Sequence, residues 1–156
     1  MYRFLLFLVV LIPVLGRSQE TSVQDTVTML SLGDSSYALP PGCIANSKYQ
    51  IQCGEEYEMA WLYVPPGQAN AFLENTMGSM AQNLPNFRKE KIDIYLFGEK
   101  HSGYRLYFTR VEVPVHQVIT TGQLGKYSMI MQVVKYAEIK TNSDLPEFAR
   151  KFISLP

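Results

Sequence analysis

Alternation constrains this chain more than any other feature. Four runs, KIDIYLFG, YRLYFTRVEV, VHQVITTG and YSMIMQVVKYAEI, follow one another between Lys91 and Ile139, rich in β-branched and aromatic residues. Successive side chains of a strand point to opposite faces, so a period of two commits this stretch to a pleated sheet. EKHSG supplies turn chemistry between the first two runs and QLGK links the last two, so the runs read as two hairpins with Pro114 breaking or offsetting the ladder between them.

The period also divides the side chains. If Ile92, Ile94, Leu96, Tyr104, Leu106, Phe108, Tyr127, Met129, Met131 and Val133 point towards covering helices, the opposite face carries Tyr95, Phe97, Arg105, Tyr107, Ile130, Gln132, Val134 and Tyr136. That second face is too apolar for bare solvent. It calls for cover from residues 27–54, from another subunit or from a partner.

Two helices are expected. In PPGQANAFLENTMGSMAQNLP the residues Ala69, Phe72, Leu73, Thr76, Met77, Met80, Ala81 and Leu84 recur at three and four, with Pro66 suited to the start and Pro85 to the end. A second, shorter helix is expected in NSDLPEFARKFISLP, where Asp144 and Glu147 have capping-box spacing and Phe148, Ala149, Phe152 and Ile153 form an apolar face. With EYEMAWLYV as a buried strand, the expectation is an α+β fold. It has a mostly antiparallel sheet of about five strands, two helices on one face, the order β-α-β-β-β-β-α and an irregular, disulfide-stapled N-terminal part.

MYRFLLFLVVLIPVLGRSQE sets the compartment. Its apolar run from Phe4 to Leu15 is short for a spanning helix but has the length of a secretory leader, with small residues at Gly16 and Ser18. The expected division is a signal peptide at 1–18 and one domain at 19–156, of which 19–25 is polar and disordered. Removing Arg3 and Arg17 from 14 basic residues leaves 12 against 14 acidic ones, a net charge of −2 with histidine neutral. Such a chain lacks the electrostatic footprint of a nucleic-acid binder, and no later stretch is apolar and long enough to span a membrane. Secretion or periplasmic export follows, and the absence of an N-x-S/T acceptor is compatible with a bacterial source.

In an oxidising compartment Cys43 and Cys53, ten positions apart, are expected to pair as a disulfide. The spacing is neither a CxxC redox motif nor part of a zinc quartet. Catalytic signatures are missing: the sequence has no GxSxG, HExxH, GxGxxG or P-loop pattern. His101 is expected in the EKHSG turn and His116 among strand residues, Glu55, Glu56 and Glu58 read as solvated acids, and Met129 and Met131 as core. Neither a metal nor a cofactor is implied. The expected function is an exported, non-enzymatic protein of inhibitor or immunity type that binds a partner protein through Tyr95, Phe97, Arg105, Tyr107, Gln132 and Tyr136, since Tyr and Arg most often anchor interfaces. The alternatives are a small hydrolase or ligand carrier with a pocket near His116, and a homodimer that buries the sheet face against itself.

Overall fold

The computed structural model describes residues 27–156, so the leader expected at 1–18 and the lead-in expected at 19–25 lie outside the described residues. Strands β1 (Met29–Leu32) and β2 (Ser35–Ala38) form a hairpin of their own. The order then runs β3 (Ile44–Ser47), β4 (Gln50–Cys53), β5 (Tyr57–Val64), α1 (Ala69–Asn83), β6 (Arg88–Leu96), β7 (Glu99–Arg110), β8 (Val113–Leu124), β9 (Tyr127–Lys135) and the two-residue β10 (Ile153–Ser154). Strands β3 to β10 make one curled antiparallel sheet of eight strands in the order β10-β6-β7-β8-β9-β5-β4-β3.

This overturns the expected five-stranded sheet with two helices. The part expected to be irregular folds into four short strands, because the four-residue runs MLSL, SSYA, IANS and QIQC are each cut by turns. The second helix is absent as well. Asn142–Asp144 and Ala149–Lys151 are single 3-10 turns, and the capping box belongs to Thr141 with Asp144 as its acid. Leu145, the residue before Pro146, is extended at φ −71° and ψ 141°, as residues preceding a proline prefer, so the turn begun at Thr141 cannot run on into a helix. The apolar spacing itself is helical, since Leu145, Phe148, Ala149, Phe152 and Ile153 recur at three and four and are all buried.

The helix that does form is the expected one. Its stripe of Ala69, Leu73, Met77 and Met80 is buried against Leu106, Phe108, Val115, Ile119, Ile130 and Val134. Phe72 was expected on the same stripe but is partly exposed. We call this side of the sheet the helix face.

The other side is covered by the chain's own two ends. The β1–β2 hairpin brings Leu30 and Leu32, and the C-terminal strap (residues 136–155) brings Ile139, Leu145, Phe148, Phe152 and Leu155, onto Ile94, Leu96, Val118, Met129, Met131, Val133, Met59 and Trp61. Ile94, Leu96, Met129, Met131 and Val133 were expected under helices and lie instead on this strap face. The cause is the turns. Phe97–Gly98 is a two-residue connection that pairs Leu96 with Glu99, so even positions of β6 share a face with odd positions of β7. Arg110↔Val113 and Leu124↔Tyr127 repeat the inversion at the next two hairpins.

Candidate partner-binding site

The same turns align one row of side chains across the end of the strap face. Arg88 pairs with Tyr107, Tyr107 with His116, His116 with Lys135 and Lys135 with Tyr57, across β6, β7, β8, β9 and β5. Beyond Tyr57 the row reaches Cys53, which is bonded to Cys43, and the Cys43 sulfur lies 3.9 Å from the Tyr57 hydroxyl. Directly opposed residues on one face touch, which makes the row a contact network. The Arg88 guanidinium carbon lies over the Tyr107 ring, 4.6 Å from its centroid. The Tyr107 and His116 rings meet edge to face, 5.2 Å apart.

One residue pair further in, the face closes. Arg105 donates from Nε to the Ile139 carbonyl at 2.7 Å and from Nη2 to the Lys140 carbonyl at 2.8 Å, and Nη1 meets the Glu90 carboxylate at 2.6 Å. This fork pins the start of the strap to the sheet. Lys135 adds a second tie, Nζ to the Asp144 carbonyl at 2.5 Å, while the Asp144 carboxylate accepts from the backbone N–H groups of Lys140 and Thr141. These bonds hold the Asp144 carboxyl below its ordinary range, the Thr141 N–H contributing most. The strap therefore stops at the edge of the row and leaves Arg88, Tyr107 and His116 beside it.

The polar ends of that trio find no protein acceptor among the described residues. Among the described residues, the Arg88 guanidinium, the Tyr107 hydroxyl and the His116 ring nitrogens make no hydrogen bond, and Arg88 has no carboxylate within ion-pair distance. Burial pushes the His116 imidazole below its ordinary value; Glu138 opposes the shift and Lys140 reinforces it.

The six residues expected to form one interface do not share a surface. Arg105 and Tyr107 lie on the strap face, and Arg105 is taken up by the strap. Phe97 sits in the β6–β7 turn with φ +54°, its ring 6.3 Å from that of Phe152. Tyr95 pairs with Ser154 and, like Gln132, points to the helix-face side, where the Gln132 side chain accepts a 2.9 Å hydrogen bond from Gln117. Tyr136 follows β9, 42% exposed, beside a depression of about 50 Å³ between Gln52, Glu58 and Val134. That volume falls well below the roughly 300–1,000 Å³ of small-molecule sites.

His101 lies within β7, its Nε2 buried without a hydrogen-bond partner and 3.9 Å from the Glu99 carboxylate. Met129 and Met131 are fully buried. Glu55 and Glu56 are exposed ahead of β5, and Glu58 lies on the helix face opposite Val134. Arg88 was missed by the sequence reading. FGEKHSG offers turn residues at several places, and only the two-residue Phe97–Gly98 loop seen in the fold sets Arg88 opposite Tyr107.

No protein-family model matches the chain, and no curated protein matches it. Among solved structures it resembles PA94 from Pseudomonas aeruginosa, a protein of unknown function described as a putative regulator. The identity is 10%, the match covers 69% of this chain and 81% of that one, and the TM-score is 0.41. That likeness is too distant to assign a fold or a function.

Proposed function

We propose that this is an exported, non-enzymatic binding protein, in the style of a periplasmic inhibitor or immunity protein, which docks a partner protein on the open end of its strap face. One observation carries the reading: on a face otherwise sealed by the chain's own ends, Arg88, Tyr107 and His116 are held in mutual contact with their polar ends unspent. Arginine and tyrosine combine contact area with directional hydrogen bonds, and holding them preformed lowers the ordering cost of association. The surroundings favour binding over catalysis. A general base needs an orienting partner, and among the described residues no carboxylate lies within ion-pair distance of His116. A bacterial source and periplasmic residence belong to the same proposal, supported by the leader-like N-terminus and the intramolecular disulfide.

Affinity capture from the native extracellular or periplasmic fraction, with sizing of the complex, tests this. Wild-type protein is expected to retain a partner that Arg88→Gln and Tyr107→Ala lose while keeping their thermal transitions. Retention of the same partner by both variants contradicts the proposal.

A further inference from the structure

We propose that the Arg88–Tyr107–His116 row is a carboxylate site, and that the partner presents an aspartate or glutamate side chain to it. The inference rests on the reading of the row as the docking surface and adds the chemistry of the group received there.

The row is rich in donors and poor in acceptors. Arg88 offers a planar fork of N–H groups, Tyr107 a phenolic O–H and His116 a ring N–H. The nearby acids are already committed. Glu90 is held by Arg105 at 2.6 Å and Glu138 by Lys140 at 2.9 Å, while the Asp144 carboxylate caps the Thr141 turn. The nearby cations Arg105 and Lys140 are neutralised in those same pairs, and the Lys135 ammonium is bound to the Asp144 carbonyl. Arg88 is left without a counter-ion among the described residues.

Position matches composition. Arg88 and Tyr107 are opposed across β6 and β7, and Tyr107 and His116 across β7 and β8, so the three groups emerge side by side from a rigid sheet. The Arg88 guanidinium carbon stands 4.6 Å from the Tyr107 ring centroid, a cation–π contact that holds the group over the ring. A guanidinium held this way favours a planar, bidentate acceptor. Of the two cations in the row, Lys135 is tied to Asp144, whose carboxylate feels its charge, so the Arg88 guanidinium is the one left to match a single negative charge. A phosphate dianion would bring a second charge that nothing in the row balances.

The test is an NMR titration of the full mature protein with N-acetylglutamic acid α-amide at neutral pH and low salt, against the uncharged N-acetylglutamine amide. The acid is expected to produce saturable shifts confined to residues around 88, 107 and 116, with a dissociation constant on the order of 1–10 mM for one charge-assisted pair. The uncharged amide should produce none. Arg88→Gln should weaken binding about tenfold or more, and Tyr107→Phe, which keeps the ring and removes the hydroxyl, by a few-fold. Both positions are at least partly exposed, so the spectra should otherwise match the wild type. The inference is overturned by dispersed or absent shifts, by equal shifts from the amide, or by unchanged affinity in Arg88→Gln. Tighter binding of inorganic phosphate overturns the carboxylate assignment. Loss of these shifts alongside intact, Arg88-dependent capture would refute the carboxylate and leave the docking surface standing.

Discussion

Arg105 shows how a residue type suited to interfaces can be consumed by folding. Its two hydrogen bonds to the Ile139 and Lys140 carbonyls and its pairing with Glu90 make it a clamp on the strap. Hydrogen bonds to charged groups contribute about 1.5–3 kcal/mol each and are not additive, so Arg105→Gln is expected to cost about 2–3 kcal/mol in denaturant unfolding. A loss below about 0.5 kcal/mol would mean that the strap is held by its apolar side chains alone. Gly103 is a second test. A Cβ there would lie 2.6 Å from the Ile119 carbonyl oxygen and 2.5 Å from the end of Ile94. Backbone cannot yield as a side chain does, so Gly103→Ala should destabilise by about 2 kcal/mol or more. The His116 imidazole gives a pH window. Its folded value lies below its ordinary 6.5, so the folded state binds fewer protons than the unfolded one. The His116 contribution is present above pH 6.5 and is lost as pH falls through the lower folded value. His116→Gln should flatten the stability profile just below pH 6.5 in urea titrations at stepped pH.

At the scale of elements, the turns matter more than the strands they join. The β7–β8 hairpin turns through Val111 and Glu112, at φ +48° and +65°, and Val111 is 88% exposed. A β-branched residue is disfavoured in the left-handed region, whereas Asn-Gly suits a two-residue turn of this hand. Val111→Asn with Glu112→Gly is therefore expected to raise stability by about 1 kcal/mol, read as a higher thermal midpoint. The turns also explain what the sequence could and could not disclose. The period of Ala69, Leu73, Met77 and Met80 announced α1, and the alternation within β6, β7 and β9 announced strands. Which parity faced which layer was not legible. A one-residue difference in turn length inverts every side chain that follows, and FGEKHSG offered turn residues at several places. The strap was misread because Leu145, Phe148, Ala149, Phe152 and Ile153 keep helical spacing, while Pro146 and the Thr141 capping box divide it into short turns. The six-residue interface expected from alternation inherited the same parity error, which is why Tyr95 and Gln132 lie across the sheet from Tyr107.

At the scale of the whole molecule, eight strands form one curled layer with a helix on one side and both chain ends on the other. The disulfide joins Cys43, just before β3, to Cys53 at the end of β4, and so secures the short outer hairpin of the sheet. Reduction should lower stability by about 3 kcal/mol on the chain-entropy estimate for a loop of this length. It should also free the β3–β4 amides to exchange before those of β7 and β8. Both edges of the eight-stranded sheet are guarded against unplanned pairing. β3 has only four residues, and β6, beyond its short pairing with β10, presents Arg88, Lys89, Glu90, Lys91 and Asp93. Charge along an edge discourages unplanned strand pairing. The centre of the account is that partner contact occurs at the open end of the strap face. Site-specific photo-crosslinking in the native compartment tests this most directly, with a photoreactive phenylalanine analogue placed in turn at Tyr107, Tyr95 and Gln132. A discrete heteromeric adduct from position 107, and none from 95 or 132, is the predicted result. An adduct from 95 or 132 with none from 107, or an adduct only to a second copy of the chain, would contradict it.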